Sequence, residues 1–407
     1  MIRIFLNGLA ANAGAGLTYL YNVVPRLSRH QDVRTILAVQ PALRKEFDQL
    51  AGVEVISPPK AFGATRRYLF EQFELRQLIR QSRADVLISA GNFALRKSPI
   101  PQILLSGNSL YTSREFSRDL WRRHEYGMLA ANVLRGVLAK KSVVWADRTI
   151  APSSAFAEEL SQWTGKPVCT IHHGFDRETF CGGAKQLPKD VQRKLDETAD
   201  CYRLLFVSHY NYYRNFETLL RALPLLARKL APEKVRLVLT CSMESGKKAG
   251  GYDSTTAARL LRELGISESV VQLGPVPYDA LYNVYRSCDL YVSAAYAETF
   301  AHPMVEAMAS GLPIVAADRR VHREVCRDAA LYFNTFDPES LAETVASVAR
   351  SGETRSKLVA FGALRAQAFS WTRHVERLLN IAGELCAGVV PVVGAEQLAT
   401  SDAHASI

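Results

Sequence analysis

The chain has 407 residues, 48% of them hydrophobic and 22% charged, a make-up that belongs to globular proteins and excludes disordered and fibrous classes. At that length it outgrows the roughly 250–300 residues of a single core, so two α/β domains are expected, with one large barrel as the alternative. A formal net charge of +10 favours anionic partners, whether nucleotide phosphates or an acidic membrane surface; the lack of zinc-finger spacing, of an aromatic ribonucleoprotein motif and of any basic run of five speaks against nucleic acid.

From the first residue onward, short apolar runs alternate with helical stretches, the pattern of parallel strands joined by crossover helices. Strands are expected at Ile2–Leu6, Thr35–Val39, Val53–Ile56, Asp85–Ile88, Gln102–Leu105 and Arg148–Ala151, with helices at Gly16–Arg29 and Arg67–Ser82. A basic helical stretch follows, in which Arg114, Arg118, Arg122, Arg123, Arg135, Lys140 and Lys141 accompany Phe116, Trp121 and Leu134. It reads either as a solvated surface or as peripheral contact with an anionic membrane.

A second series has strands near Tyr202–Val207, Val235–Thr240, Val270–Leu273, Leu290–Ser293, Ile314–Ala316 and Ala330–Phe333. Helices fall between them at Phe216–Leu230, Ser254–Leu264, Tyr278–Ser287, Pro303–Ser310 and Pro338–Ala349. Two doubly wound domains follow, 1–180 and 181–371, joined within the polar stretch Thr179–Thr198. Residues 372–386 read as a further amphipathic helix. The tail 387–407 is expected to be loosely ordered, with Val389–Val393 as a docking strand.

Seven cysteines stand singly without a CxxC pair, which fits reduced thiols and a cytoplasmic location. The apolar start is too short for a signal peptide, and no segment reaches the ~18 apolar residues of a membrane span.

The stretch from Tyr291 to Ala317 reads as strand, loop, helix, tight turn and strand. Pro303 suits the first helical position and Gly311 the left-handed position past the end. A helix starting beside Phe300–His302 would point free N–H groups out of the carboxyl edge of a parallel sheet, where a diphosphate fits. Glu298 precedes that helix and Glu306 lies in its first turn. As acceptor-only groups, both suit sugar and ribose hydroxyls; each taken alone reads better as a solvated charge.

The run Glu298-Thr299-Phe300-Ala301-His302-Pro303-Met304-Val305-Glu306-Ala307-Met308 resembles the E-x7-E signature of the retaining glycosyltransferases called group 1, or family four. That family usually has E-G-F-G-x-P here, and Thr299 and Ala301 replace its two glycines. Phe206-Val207-Ser208-His209, followed by Arg214-Asn215, resembles the family's G-R-x4-K-G block, with Arg214 on its Lys and His209 on its Arg. The loop containing Gly14, Ala15 and Gly16 resembles its first Gly-rich loop, and Asn108 falls where it often has a catalytic His. His172-His173-Gly174-Phe175-Asp176 resembles its interdomain entry and Phe369-Ser370-Trp371 its return to the first domain.

The resemblance implies the GT-B architecture of two Rossmann-like domains, with the N-terminal one reading the acceptor and the other a UDP- or GDP-sugar. It implies retention of configuration, with Arg214 gripping the diphosphate and Glu298 and Asn108 at the reacting sugar. Ser208, His209, Thr299, Phe300, Ala301, His302 and Glu306 would line the donor. The acceptor would be a glycan or lipid-linked saccharide, in polysaccharide biosynthesis. No D-x-D or His-rich metal site is readable, and no cofactor beyond the nucleotide-sugar is expected. Two alternatives stay open, a nucleotide-sugar epimerase of similar architecture and a catalytically decayed binding subunit.

Overall fold

A computed structural model describes residues 1–11 and 14–388, apart from the side chains of Ala15 and Ala249; the expected docking strand Val389–Val393 lies outside the described residues. Two parallel sheets with helices around them confirm the doubly wound α/β reading. The first runs β3-β2-β1-β4-β5-β6-β7, built from β1 (Ile2–Asn7), β2 (Val33–Ala38), β3 (Val53–Ile56), β4 (Val86–Ala90), β5 (Gln102–Leu105), β6 (Arg148–Ala151) and β7 (Cys169–Thr170). Interspersed with these strands along the chain are α1 (Gly14–Leu27), α2 (Arg44–Phe47), α3 (Ala64–Ser82), α4 (Arg114–Arg122), α5 (Tyr126–Trp145) and α6 (Ser154–Thr164).

The second sheet runs β10-β9-β8-β11-β12-β13, from β8 (Tyr202–Phe206), β9 (Val235–Leu239), β10 (Val270–Gln272), β11 (Leu290–Ser293), β12 (Ile314–Ala317) and β13 (Ala330–Phe333). Along this part of the chain lie α7 (Lys189–Asp196), α8 (Phe216–Leu230), α9 (Thr255–Glu263), α10 (Leu281–Arg286), α11 (His302–Ala309), α12 (Arg320–Cys326), α13 (Pro338–Arg350), α14 (Gly352–Ala366) and α15 (Trp371–Cys386). The expected join at 179–198 carries a π-helical turn, Glu178–Gly182, and α7.

The chain gathers into two compact units that interleave in sequence: Met1–Leu105, Ser142–Thr149 and the residues from Val375 form one, and Ser106–Lys141 with Ile150–His374 form the other. In the first unit Phe5, Ile36, Leu75, Ile79, Leu87 and Leu95 build the core against α3. In the second, Leu204, Phe206, Leu220, Leu237 and Val292 pack with α8 and α13, and Phe116 and Leu120 of α4 join the same cluster.

Charge as well as apolar area holds α4 there. The Arg123 guanidinium donates to Asp119 Oδ1 at 2.8 Å and to Glu217 Oε1 at 2.7 Å, and lies 4.3 Å above the Tyr212 ring. Tyr296 donates to the other Asp119 oxygen at 2.9 Å, and Tyr212 to Glu125 at 2.8 Å. A second lock joins α12 to α6: the Glu324 carboxylate accepts the Ser154 and Ala155 amides at 2.7 Å each and bonds His172 Nε2 at 2.7 Å. It caps α6 at its positive end. Gly174 runs so close to Trp371 that a Cβ there would lie 2.0 Å from the Trp371 amide nitrogen.

Arg123 is only 18% exposed, so its removal strands two carboxylates with little water to receive them. Arg123→Ala is expected to cost about 3 kcal/mol or more of stability, read as a lower denaturation midpoint, whereas Arg122→Ala on the exposed side of the same helix should change it little.

Candidate active site

In the second sheet the strand order reverses between β8 and β11, because β9 and β10 lie beyond one and β12 and β13 beyond the other. The loops leaving the carboxyl ends of these two strands must part there and leave a crevice, the place where parallel α/β sheets hold ligands. The loop after β8 carries Ser208, His209 and Arg214; the loop after β11 carries Glu298 to Ala301.

Local hydrogen bonds fix the first loop. The Ser208 amide donates to Thr240 Oγ1 at 3.0 Å and its hydroxyl to the His209 carbonyl at 2.7 Å, which leaves the His209 side chain exposed. Asn211 caps the turn Tyr212–Arg214 by accepting the Arg214 amide at 3.1 Å. Asn215 then takes the left-handed conformation that turns the chain into α8. Tyr210 and Tyr212 are buried in the core. The Arg214 side chain, 5.4 Å from the Tyr213 ring centre, forms an ion pair with Glu298. Its Nε is buried and has no partner among the described residues.

The two residues expected to grip opposite ends of one donor therefore touch each other. At 19% and 12% exposure the pair is screened from bulk water, so the guanidinium is held in place before any phosphate arrives.

The second loop departs from expectation at three positions. Phe300, read as a ligand residue, is 1% exposed and packs its ring against Phe369, His172 and His173, so its side chain belongs to the core. Ala301 stands at φ 65°, ψ 57°, a left-handed conformation that costs a residue with a Cβ about 1–2 kcal/mol and that glycine would take freely. Thr299 is half-buried. The helix begins at His302, one residue earlier than predicted, with Pro303 second. Burial pushes His302 down to about 4, so its ring is neutral; its Nε2 is buried without a partner among the described residues.

Glu306 also differs from expectation. It is the fifth residue of α11, one turn in, and at 6% exposure it lies within the protein rather than beside Glu298 in the open. Its Oε2 accepts the Tyr285 hydroxyl at 2.8 Å, and Tyr278 bonds the same carboxyl group. Desolvation raises it to about 7 against these two donors.

In the first unit, Gly14 (φ 59°), Ala15 and Gly16 open α1 just past the carboxyl end of β1. In the second unit, Asn108 Oδ1 accepts the Leu110 amide at 3.1 Å and so caps the short turn Ser109–Tyr111. In the basic stretch, Phe116 is buried and Arg123 is paired, so neither faces outward as the membrane reading required, whereas Trp121 and Leu134 are 62% and 64% exposed.

Sequence reasoning missed Tyr285, Arg319 and Glu115. Arg319 follows β12 and donates through both terminal nitrogens to Glu115 at 3.1 Å. Its position after a parallel strand was the available signal, since every such loop lies on the ligand edge.

Residues 17–179 match the family model described as Glycosyltransferase Family 4, and residues 189–365 the one described as Glycosyl transferases group 1. Over 261 residues the chain is 31% identical to the D-inositol 3-phosphate glycosyltransferase of Saccharomonospora viridis, covering 62% of this chain and 59% of that protein. With that of Corynebacterium jeikeium it shares 27% over 257 residues, or 62% and 60% of the two chains. The chain thus spans less than two thirds of the length of these curated relatives. In fold it is similar to HepE of Anabaena in complex with UDP and glucose (TM-score 0.67, 17% identity, 94% of this chain and 100% of that one). Sucrose-phosphate synthase of Thermosynechococcus elongatus is likewise similar (0.71, 17%, 95% and 100%).

Glu306 makes the site pH-sensitive. A carboxyl raised from 4.5 to about 7 contributes its stability fully below the unfolded value and loses it as pH rises through 7. Glu306→Gln keeps the shape and removes the titration. The denaturation midpoint of the variant relative to the parent is expected to rise between pH 5 and pH 8, and a constant difference would show that Glu306 is not desolvated.

Proposed function

Because residues 17–179 and 189–365 match two glycosyltransferase family models, we propose that the chain is a group 1 glycosyltransferase that transfers a sugar from a nucleotide-sugar to an acceptor hydroxyl with retention of configuration and without a metal. The observation that carries this is the Arg214–Glu298 pair at the strand-order reversal. A cation already in place can take the charge that builds on a departing diphosphate without reorganising, the condition under which electrostatic catalysis is strongest. The bond from the anomeric carbon to the diphosphate oxygen breaks, the acceptor oxygen bonds that carbon from the same face, and its proton passes to the leaving diphosphate.

Glu298 serves as a hydrogen-bond acceptor for the sugar hydroxyls and as the partner that aims Arg214. Being tied to that guanidinium, it is not a free nucleophile. Ser208, His209 and Thr299, with the backbone at Ala301 and His302, line the donor, and Glu306 reads the ribose. Asn108, whose oxygen is engaged, acts at the reacting sugar through its amide nitrogen. UDP is the favoured nucleotide, supported by the UDP in the Anabaena HepE structure, with GDP second. We assign acceptor reading to the N-terminal domain, 1–180, and donor reading to 181–371. The acceptor is a glycan or lipid-linked saccharide, and the name of the curated relatives adds a phosphorylated polyol as a further class.

We place the reaction in the cytoplasm at the inner face of the membrane. Among the described residues no helix is long and apolar enough to cross a membrane. α5 exposes Tyr126, Val133, Leu134, Val137 and Val144 along one side, at helical spacing, with Lys140 and Lys141 beside them. That combination suits a helix lying in an anionic interface. Leu134→Glu is expected to reduce co-sedimentation with phosphatidylserine vesicles several-fold without altering the fold; equal sedimentation would remove the membrane from the reading.

The ion pair fixes the kinetic test. Glu298→Gln is expected to lower turnover of a UDP-sugar about tenfold to a hundredfold, the worth of a hydrogen bond to a charged group. Free UDP should bind that variant no more weakly, because the guanidinium is no longer shared. Arg214→Ala should lose both turnover and UDP affinity. If Glu298→Gln weakens UDP as much as turnover, the division of roles is wrong.

A further inference from the structure

Within the second unit, a cavity of about 600 Å3 has Glu298 on its wall together with Ser109, Arg114, Arg118, Glu159 and Arg319. Most of the charges around it cancel. Glu298 is paired with Arg214, Glu115 with Arg319, Arg320 with Glu158, and Asp318 with Arg323 at 2.8 Å. Two cations are left over. Arg114 and Arg118 stand one helical turn apart on the same face of α4, both exposed, and among the described residues no carboxylate lies within ion-pair reach of either.

This placement works against the helix that carries it. Like charges at i and i+4 repel by about 0.2–0.5 kcal/mol, and Arg114 sits in the first turn, at the end of the dipole that disfavours a cation. Neither cost is recovered by a partner within the described protein, yet both side chains border a cavity shared with Glu298. Across it lies Glu159 on α6, a partly buried carboxyl group bonded by the Thr112 hydroxyl and raised by desolvation.

We propose that Arg114 and Arg118 form an anion subsite for the acceptor, which binds a phosphate or carboxylate group and sets the neighbouring acceptor hydroxyls between Glu159 and Glu298. The inference rests on the glycosyltransferase reading and names the acceptor class within it, a hydroxyl compound bearing an anionic group. Two guanidinium groups one turn apart suit an oxyanion because each offers a planar fork of donors.

The test uses the full chain saturated with UDP, so that the donor crevice is filled, titrated calorimetrically at fixed ionic strength with inorganic phosphate, glucose 6-phosphate and glucose. One phosphate per chain should bind, and glucose 6-phosphate should bind at least tenfold more tightly than glucose. Arg118→Ala should weaken phosphate at least tenfold, and the double variant Arg114→Ala with Arg118→Ala should abolish its binding while keeping UDP affinity. The proposal is overturned if phosphate does not bind the UDP-saturated chain, if it binds the double variant equally well, or if that variant loses UDP, since the arginines would then belong to the donor crevice. Binding of UDP by the parent chain is read separately, so failure of the donor reading is distinguishable from failure of the subsite.

Discussion

A right-handed crossover can carry the chain to either side of the strand it leaves, and the second sheet uses both directions, outward through β9 and β10 and back through β11 to β13. Everything at the site depends on that reversal. Only between β8 and β11 do two carboxyl-end loops diverge, and those loops bring Arg214 and Glu298 together although 84 positions separate them in the chain. The first sheet repeats the device between β1 and β4, where α1 opens with Gly14.

The cost of holding charged groups near this crevice is met by pairing. Arg123 lies between Asp119 and Glu217, Arg319 holds Glu115, and Tyr285 and Tyr278 attend Glu306. A buried charge without a partner is expensive, so these networks fix side-chain geometry in the unliganded protein. Ala301 adds strain of its own at the start of α11. A site that is aimed in advance spends little binding energy on ordering itself.

Much of this order was readable from apolar periodicity. β3, β5, β6, β11 and β13 fall where their apolar residues placed them, and α8 matches end to end, because its apolar residues recur at helical spacing from Phe216 to Leu230. α12 escaped notice since seven residues rich in arginine offer no clear stripe, and α14 since its apolar residues are spread around the helix. Which core α4 joins was not legible at all: Phe116 and Leu120 mark an apolar face, but periodicity cannot say which partner covers it. The burial of Glu306 was not legible, because Tyr285, which holds it, is 21 positions away. Phe300 sat in a motif of ligand residues while its bulk served the core. The motif located the site, and tertiary packing decided which of its side chains face a ligand.

The Glu324 carboxylate at the start of α6 bears on how the chain comes into being. Its bond to the Ser154 amide spans 170 positions, and 94 separate Arg123 from Glu217. On the ribosome, α6 therefore emerges long before its cap, and α4 before Glu217, the more distant of the two carboxylates on Arg123, with open amides and apolar faces left to water in the interval. A nascent N-terminal half is a folding debtor until α12 is made. Splitting the gene near residue 180 would yield a first fragment without Glu324 and Glu217, in which the α6 amides lose their carboxylate cap and Arg123 keeps only Asp119.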